Sequence, residues 1–128
     1  MVRAGAAQAV GLLDTQFDPL YSEEVDWCYR FRQAGWKVYH LPQAKVIHLG
    51  EVSARKTSFA RYERIYAKKT VFFRKHYGEP GAWVYKITLW VANLVKSLFW
   101  GLVGCFGQKK ARQEFSIHWN IVKRAFRF

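Results

Sequence analysis

Cysteine is scarce in this 128-residue chain, and its two copies are far apart. Cys28 and Cys105 stand alone in segments of different character. No pair has the spacing of metal ligands, which argues against both a zinc module and a disulfide framework. Isolated thiols of this kind are expected to be free and buried, as suits a reducing cytosol. The stretch Met1 to Leu13 has one Arg and a short Ala/Gly/Val run but no sustained apolar core, so it does not read as a signal peptide. Internal repeats and low-complexity tracts are absent. So are helix-turn-helix and RNP patterns, which leaves the pI near 10.0 without a nucleic-acid-reading motif to accompany it. Acidic residues are the last shortage, nine against 21 Lys/Arg, and the shortage is regional. Residues 1–51 hold five Lys/Arg and six Asp/Glu, net −1, whereas residues 52–128 hold sixteen and three, net +13. A mildly acidic first part and a basic second part imply two tasks in one chain. The second part seeks anions: nucleic acid, lipid headgroups or a phosphorylated substrate.

What is present divides at about residue 52. Residues 2–13 read as a short helix closed by Gly11, and Asp14 to Tyr21 as a loop with Asp18-Pro19 turn chemistry. Ser22 is placed as the N-cap of a second helix, with Glu23, Glu24 and Asp26 at the positive end of its dipole. That helix runs to about Ala34, and Gly35 supplies the left-handed stop. "WKVYHL" and "AKVIHL", either side of Pro42-Gln43, read as two short strands. The first 52 residues are thus expected to be an α/β fragment, too small for a complete sheet domain with its own core.

From Ser53 the period becomes helical. Phe59, Tyr62, Tyr66, Phe73 and Tyr77 share one face of a basic amphipathic helix over 53–81, which "GEPG" at 78–81 breaks. Residues 82–107 are the most apolar stretch, with Asn93, Ser97 and Gly104 within about 20° of Lys86 in a polar stripe. A last helix, 108–128, sets Phe115, Trp119, Val122 and Phe126 on one side.

The segment from Val10 to Gly50 carries the chemistry. It reads Val10-Gly11-Leu12-Leu13-Asp14, then Tyr21-Ser22-Glu23-Glu24-Val25-Asp26-Trp27-Cys28-Tyr29-Arg30, then Ala34-Gly35-Trp36-Lys37-Val38 and Ala44-Lys45-Val46-Ile47-His48-Leu49-Gly50. Taken alone, acids at a helix start are most often a solvated cap, and a histidine beside a Val-Ile run is most often a strand-end residue. Together, and with "FFRKHYG" at 72–78, they resemble the C-terminal portion of family-2 glycosyltransferases, the rhamnosyltransferase-like ones especially. The resemblance implies an α/β fold, the acceptor-side end of a Rossmann-like GT-A domain in 1–52, followed by membrane-associated helices over 82–128. It implies inverting transfer of a sugar from a nucleotide-sugar donor to a lipid-linked or polysaccharide acceptor in the cell envelope.

The resemblance also assigns roles. Glu24 matches the family's general base toward the acceptor hydroxyl, with Glu23 as the neighbouring acid. His48 matches a histidine that helps hold a divalent metal, Mn²⁺ or Mg²⁺, against the donor diphosphate. Asp26, Ser53 and Arg55 are candidates for binding substrate, although Asp26 and Arg30, spaced i,i+4, also suit a structural pair. Gly50-Glu51 stands where the family usually has Gly-Gly. The family's Asp-x-Asp motif does not occur ahead of the glutamate pair, so a donor-binding half is expected to precede this segment, and these residues alone are expected to be inactive.

For the tail, Trp83, Trp90, Trp100 and Trp119 with flanking lysines are the residues of a bilayer interface. Residues 82–107 are long enough to span, but basic flanks at both ends favour helices lying in the cytoplasmic leaflet of the inner membrane. A non-catalytic membrane-surface adaptor is the alternative, and a nucleic-acid module a weaker one.

Overall fold

The computed structural model describes residues 1–18, 21–47, 59–105 and 107–128, and they form two compact units, Met1–Lys56 and Thr57–Phe128. Regular structure among them is entirely helical: α1 Ala4–Val10, α2 Glu23–Gln33, α3 Phe59–Gly104 and α4 Lys109–Arg124, with 3-10 turns at Thr15–Phe17 and Ala125–Arg127.

The α/β expectation is therefore overturned. Residues 36–41 and 44–47 have no regular structure and build no strand among the described residues. Their link is a turn in which Ala44 N–H donates to Leu41 C=O at 3.1 Å. A strand exists only where a neighbour takes its backbone groups, and one short pair of segments cannot supply a sheet. The β-branched and aromatic side chains that suggest strands here, Val38, Tyr39, Leu41, Val46 and Ile47, are left exposed.

In the first unit α1 and α2 pack around Ala6, Phe17 and Phe31. Gly11 has a positive φ of 78°, which ends α1 as expected. The close of α2 is a Schellman arrangement: Trp36 N–H reaches Phe31 C=O at 2.9 Å, Gly35 N–H reaches Arg32 C=O at 3.1 Å, and Gly35 has φ 82°.

In the second unit α3 is bent back on itself at Gly78, whose φ of 69° and ψ of −172° lie outside the helix. Pro80 follows, and a Cβ on Gly81 would stand 2.3 Å from Tyr77 Cβ, so only glycine fits the crease. The fold-back stacks Phe73 on Tyr85 with ring centroids 4.7 Å apart. It also brings Phe59, Tyr62 and Tyr66 of the 59–77 arm onto the cluster of Leu89, Ile121 and Ala125. The helix α4 then returns along the 79–104 arm. Its inward face is Ala111, His118, Ile121 and Val122, with Ala125 following in the 3-10 turn, while Phe115, Trp119 and Phe126 keep exposed surface. The two thiols, expected to be buried, are both free and exposed.

Candidate functional site

Two surfaces bear on function, one in each unit. The first is the start of α2. Ser22 occupies the cap position, but its side chain makes no capping bond, and both Tyr21 and Ser22 are left-handed, at φ 82° and 75°. Two consecutive non-glycine residues in that region cost about 1–3 kcal/mol each. Sequence reading gave no sign of this strain, because neither residue is one that favours it.

Asp26 is fully buried and bonded to Arg30 Nε at 2.9 Å. The same guanidinium donates to the carbonyls of Val10 and Leu12, the latter at 2.7 Å, and Trp27 Nε1 donates to Gly11 C=O at 2.8 Å. The spacing of Asp26, Trp27 and Arg30 thus has a local physical purpose: it ties the turn after α1 to the side of α2. Asp26, a candidate for substrate binding, is engaged in this clamp.

That leaves the two glutamates. Glu24 is exposed. Glu23 is half-buried, and its Oε2 is closed off without a hydrogen-bond partner among the described residues. A buried carboxylate oxygen with no donor is costly, about 1–3 kcal/mol or more, and a ligand hydroxyl would relieve it. His48, Ser53 and Arg55 lie outside the described residues. Among those described, no three His, Cys, Asp or Glu side chains gather to hold a metal ion.

The second surface is the outside of the 79–104 arm. Its polar stripe does not meet water: Lys86 is 8%, Asn93 2% and Ser97 1% exposed. Lys86 Nζ donates to Phe126 C=O at 3.2 Å and sits 5.6 Å from the centre of the Trp83 ring. Asn93 Nδ2 donates to Leu89 C=O at 2.8 Å, which turns its Oδ1 toward His118 Nδ1, also at 2.8 Å, and makes Nδ1 the donor. Burial, then Lys96, holds the His118 pKa below its ordinary value, with Glu114 opposing. Burial and then Tyr62 push Tyr66 up, while its hydrogen bond with Asn93 acts the other way.

The opposite face is apolar and open. Val84 is 65%, Val95 60% and Leu102 70% exposed, and Ile87, Val91 and Leu98 complete the row. Phe115, Trp119 and Phe126 extend it along the edge of α4, where Lys123 Nζ lies 5.7 Å from the Trp119 ring centre. A polar interior with an apolar exterior is the reverse of a water-soluble bundle. The helix Phe59–Gly104, of which this arm is the apolar part, is long and apolar enough to cross a membrane by length and composition.

No protein-family model matches the chain, and neither does any curated protein or solved structure.

Proposed function

We propose that this chain is the membrane-seated, acceptor-side portion of an inverting glycosyltransferase, acting on a lipid-linked or polysaccharide acceptor at the cytoplasmic face of the inner membrane. The observation that carries the reading is the reversed polarity of the 79–104 arm, with Lys86, Asn93 and Ser97 inside and Val84, Val91, Val95 and Leu102 outside. Seated in the plane of the membrane, that apolar row enters the acyl boundary by about 5–10 Å. The 59–77 arm and α4, which cover the polar stripe, stay on the water side with their Lys and Arg near the headgroups. Membrane burial of a charged stripe is avoided, since the stripe is already paired internally.

The chemical half of the reading rests on the resemblance of the Tyr21–Arg30 segment to family-2 enzymes. Two local features support it. The exposed Glu24 carboxylate is accessible to an acceptor hydroxyl, as a general base must be. Beside it, Glu23 Oε2 needs a hydrogen-bond donor, which a second sugar hydroxyl would supply. The Asp26–Arg30 clamp holds the helix that presents both.

The test is genetic and uses the gene in its own host. Glu24→Gln is expected to reduce an envelope glycan as severely as deletion of the gene, because loss of a positioned base lowers turnover by about 10² to 10⁴. Glu23→Gln should have the smaller effect. A host whose envelope glycans are unchanged by both substitutions and by deletion would contradict the transferase reading. The adaptor reading shares the membrane face, and it predicts that deletion matters while Glu24→Gln does not.

A further inference from the structure

Where α3 ends and α4 begins, a groove of about 370 Å³ is lined by Trp100, Gly101, Gly104, Cys105, Arg112 and Phe115. Its size falls among small-ligand clefts, which run from about 300 to 1,000 Å³. The walls are apolar except at one point. Gly101 and Gly104 keep it open: a Cβ on Gly101 would already lie 3.4 Å from the Phe115 ring, and one on Gly104 would lie 3.7 Å from Arg112 Cγ. The aliphatic stem of Arg112 therefore forms part of the wall, which leaves its charged end for the rim.

Arg112 is the charged residue of the lining, and the first turn of α4 beside it is basic: Lys109, Lys110 and Arg112 are all exposed, and no acidic residue occupies that turn. Glu114, the nearest acid in sequence, is directed at His118 Nε2 at 3.8 Å. Three cations at the positive end of a helix repel one another and the dipole, so the fold spends stability here unless an anion arrives. The groove is also continuous with the membrane face: Phe115, one of its walls, stacks on Trp119 with ring centroids 6.2 Å apart, and Leu102 of the apolar row lies one residue from Gly101.

We propose that this groove holds a single anionic phospholipid, with its phosphate on Arg112 and on Lys109 one turn before it on the same face of α4, and the upper part of one acyl chain along Trp100, Gly101, Gly104 and Phe115. The assignment rests on the membrane seating argued above. It goes further, from a face that meets the bilayer as a solvent to a site that retains one lipid. An acyl chain suits the apolar walls, a phosphate suits the arginine fork, and a membrane phospholipid is the molecule that offers both at this depth.

The test measures lipid retained per chain by native mass spectrometry in neutral detergent. Dioleoyl phosphatidylglycerol and dioleoyl phosphatidylcholine are each supplied as probe. Flotation on vesicles of both compositions is run in parallel. The unaltered protein is expected to keep one phosphatidylglycerol and at least tenfold less phosphatidylcholine. Arg112→Gln and Gly104→Leu should each lose that lipid at least tenfold, the first by removing the phosphate contact and the second by filling the groove. Lys69→Gln, an exposed cation on the other arm, should retain it, and all three variants should still float with anionic vesicles. Equal retention of the two lipids would overturn the site. So would equal loss in Lys69→Gln and Arg112→Gln, or displacement by millimolar inorganic phosphate. Failure of the unaltered protein to float would instead overturn the membrane seating on which the site depends.

Discussion

At Asp26 a carboxylate without exposed surface pairs with Arg30, and that arginine also holds two backbone carbonyls of the turn after α1. Asp26→Ala leaves Arg30 with its charge partner gone and its carbonyl contacts unsupported. Breaking such a pair costs about 3–5 kcal/mol when both partners are buried, and Arg30 is only partly so. The expected loss is about 2–3 kcal/mol of stability in the first unit, read as a lower urea midpoint of the change in Trp27 fluorescence. Glu24→Gln, on an exposed carboxylate, should stay within about 0.5 kcal/mol. The contrast separates the two acids of one motif: one holds the helix, the other is free to meet a substrate. A second residue-scale prediction concerns His118. Its folded pKa lies below the ordinary value of 6.5, so the unfolded chain takes up the proton first as pH falls. Stability from the neutral imidazole is complete above about pH 6.5 and declines as pH drops below it. Thermal melts of the protein between pH 7.5 and 5 should show that decline, and His118→Gln, which retains a donor toward Asn93, should flatten it. An unchanged slope in the variant would place the pH dependence elsewhere.

Among the elements, the crease in α3 is the one with least tolerance. Gly78 needs a positive φ and Gly81 has Tyr77 Cβ in the space its own Cβ would take. Gly81→Ala is expected to destabilise the second unit by about 1–3 kcal/mol through overpacking. Circular dichroism on heating should show a lower midpoint with the same helix content. Both glycines and Pro80 were legible in the sequence as "GEPG", and so were α1, α2 with its Gly35 stop, and the aromatic face of the 59–77 arm. Other features were not. The polar stripe of the 79–104 arm was visible as a stripe, but a helical wheel does not say whether a stripe meets water or other helices. The structure answers that with Asn93 against His118 and Lys86 against Phe126 C=O. The one-sided set on the last helix divides in the same way: Val122 is buried, while Phe115, Trp119 and Phe126 keep exposed surface. Segments 36–41 and 44–47 read as strands because a single sequence reports side-chain preference and not the presence of a pairing neighbour. The strain at Tyr21 and Ser22 left no trace in residue type at all.

For the whole molecule, charge and apolar surface act together on the bilayer. Residues 52–128 carry a net +13, and each Lys or Arg near an anionic surface contributes about 1 kcal/mol. Binding to phosphatidylglycerol vesicles should weaken between 0.1 and 1 M salt, as the screening length falls from about 10 Å to about 3 Å. It should not vanish, because the apolar row is indifferent to salt. Val91→Lys with Val95→Lys should abolish the salt-resistant remainder and leave the electrostatic part. Complete release of the unaltered protein by salt would show that the apolar face plays no part.

Depth distinguishes seating in the membrane plane from crossing it, and the 79–104 arm allows it to be measured position by position. Single spin labels at Val84, Val91, Val95, Leu98 and Leu102 in the vesicle-bound protein would be scored for oxygen and nickel-complex accessibility. The in-plane account predicts one common shallow depth for all five, about 5–10 Å below the headgroups. A depth that runs steadily from one leaflet to the other over about 27 Å, the length of the arm from Val84 to Leu102 at 1.5 Å per residue, would contradict it.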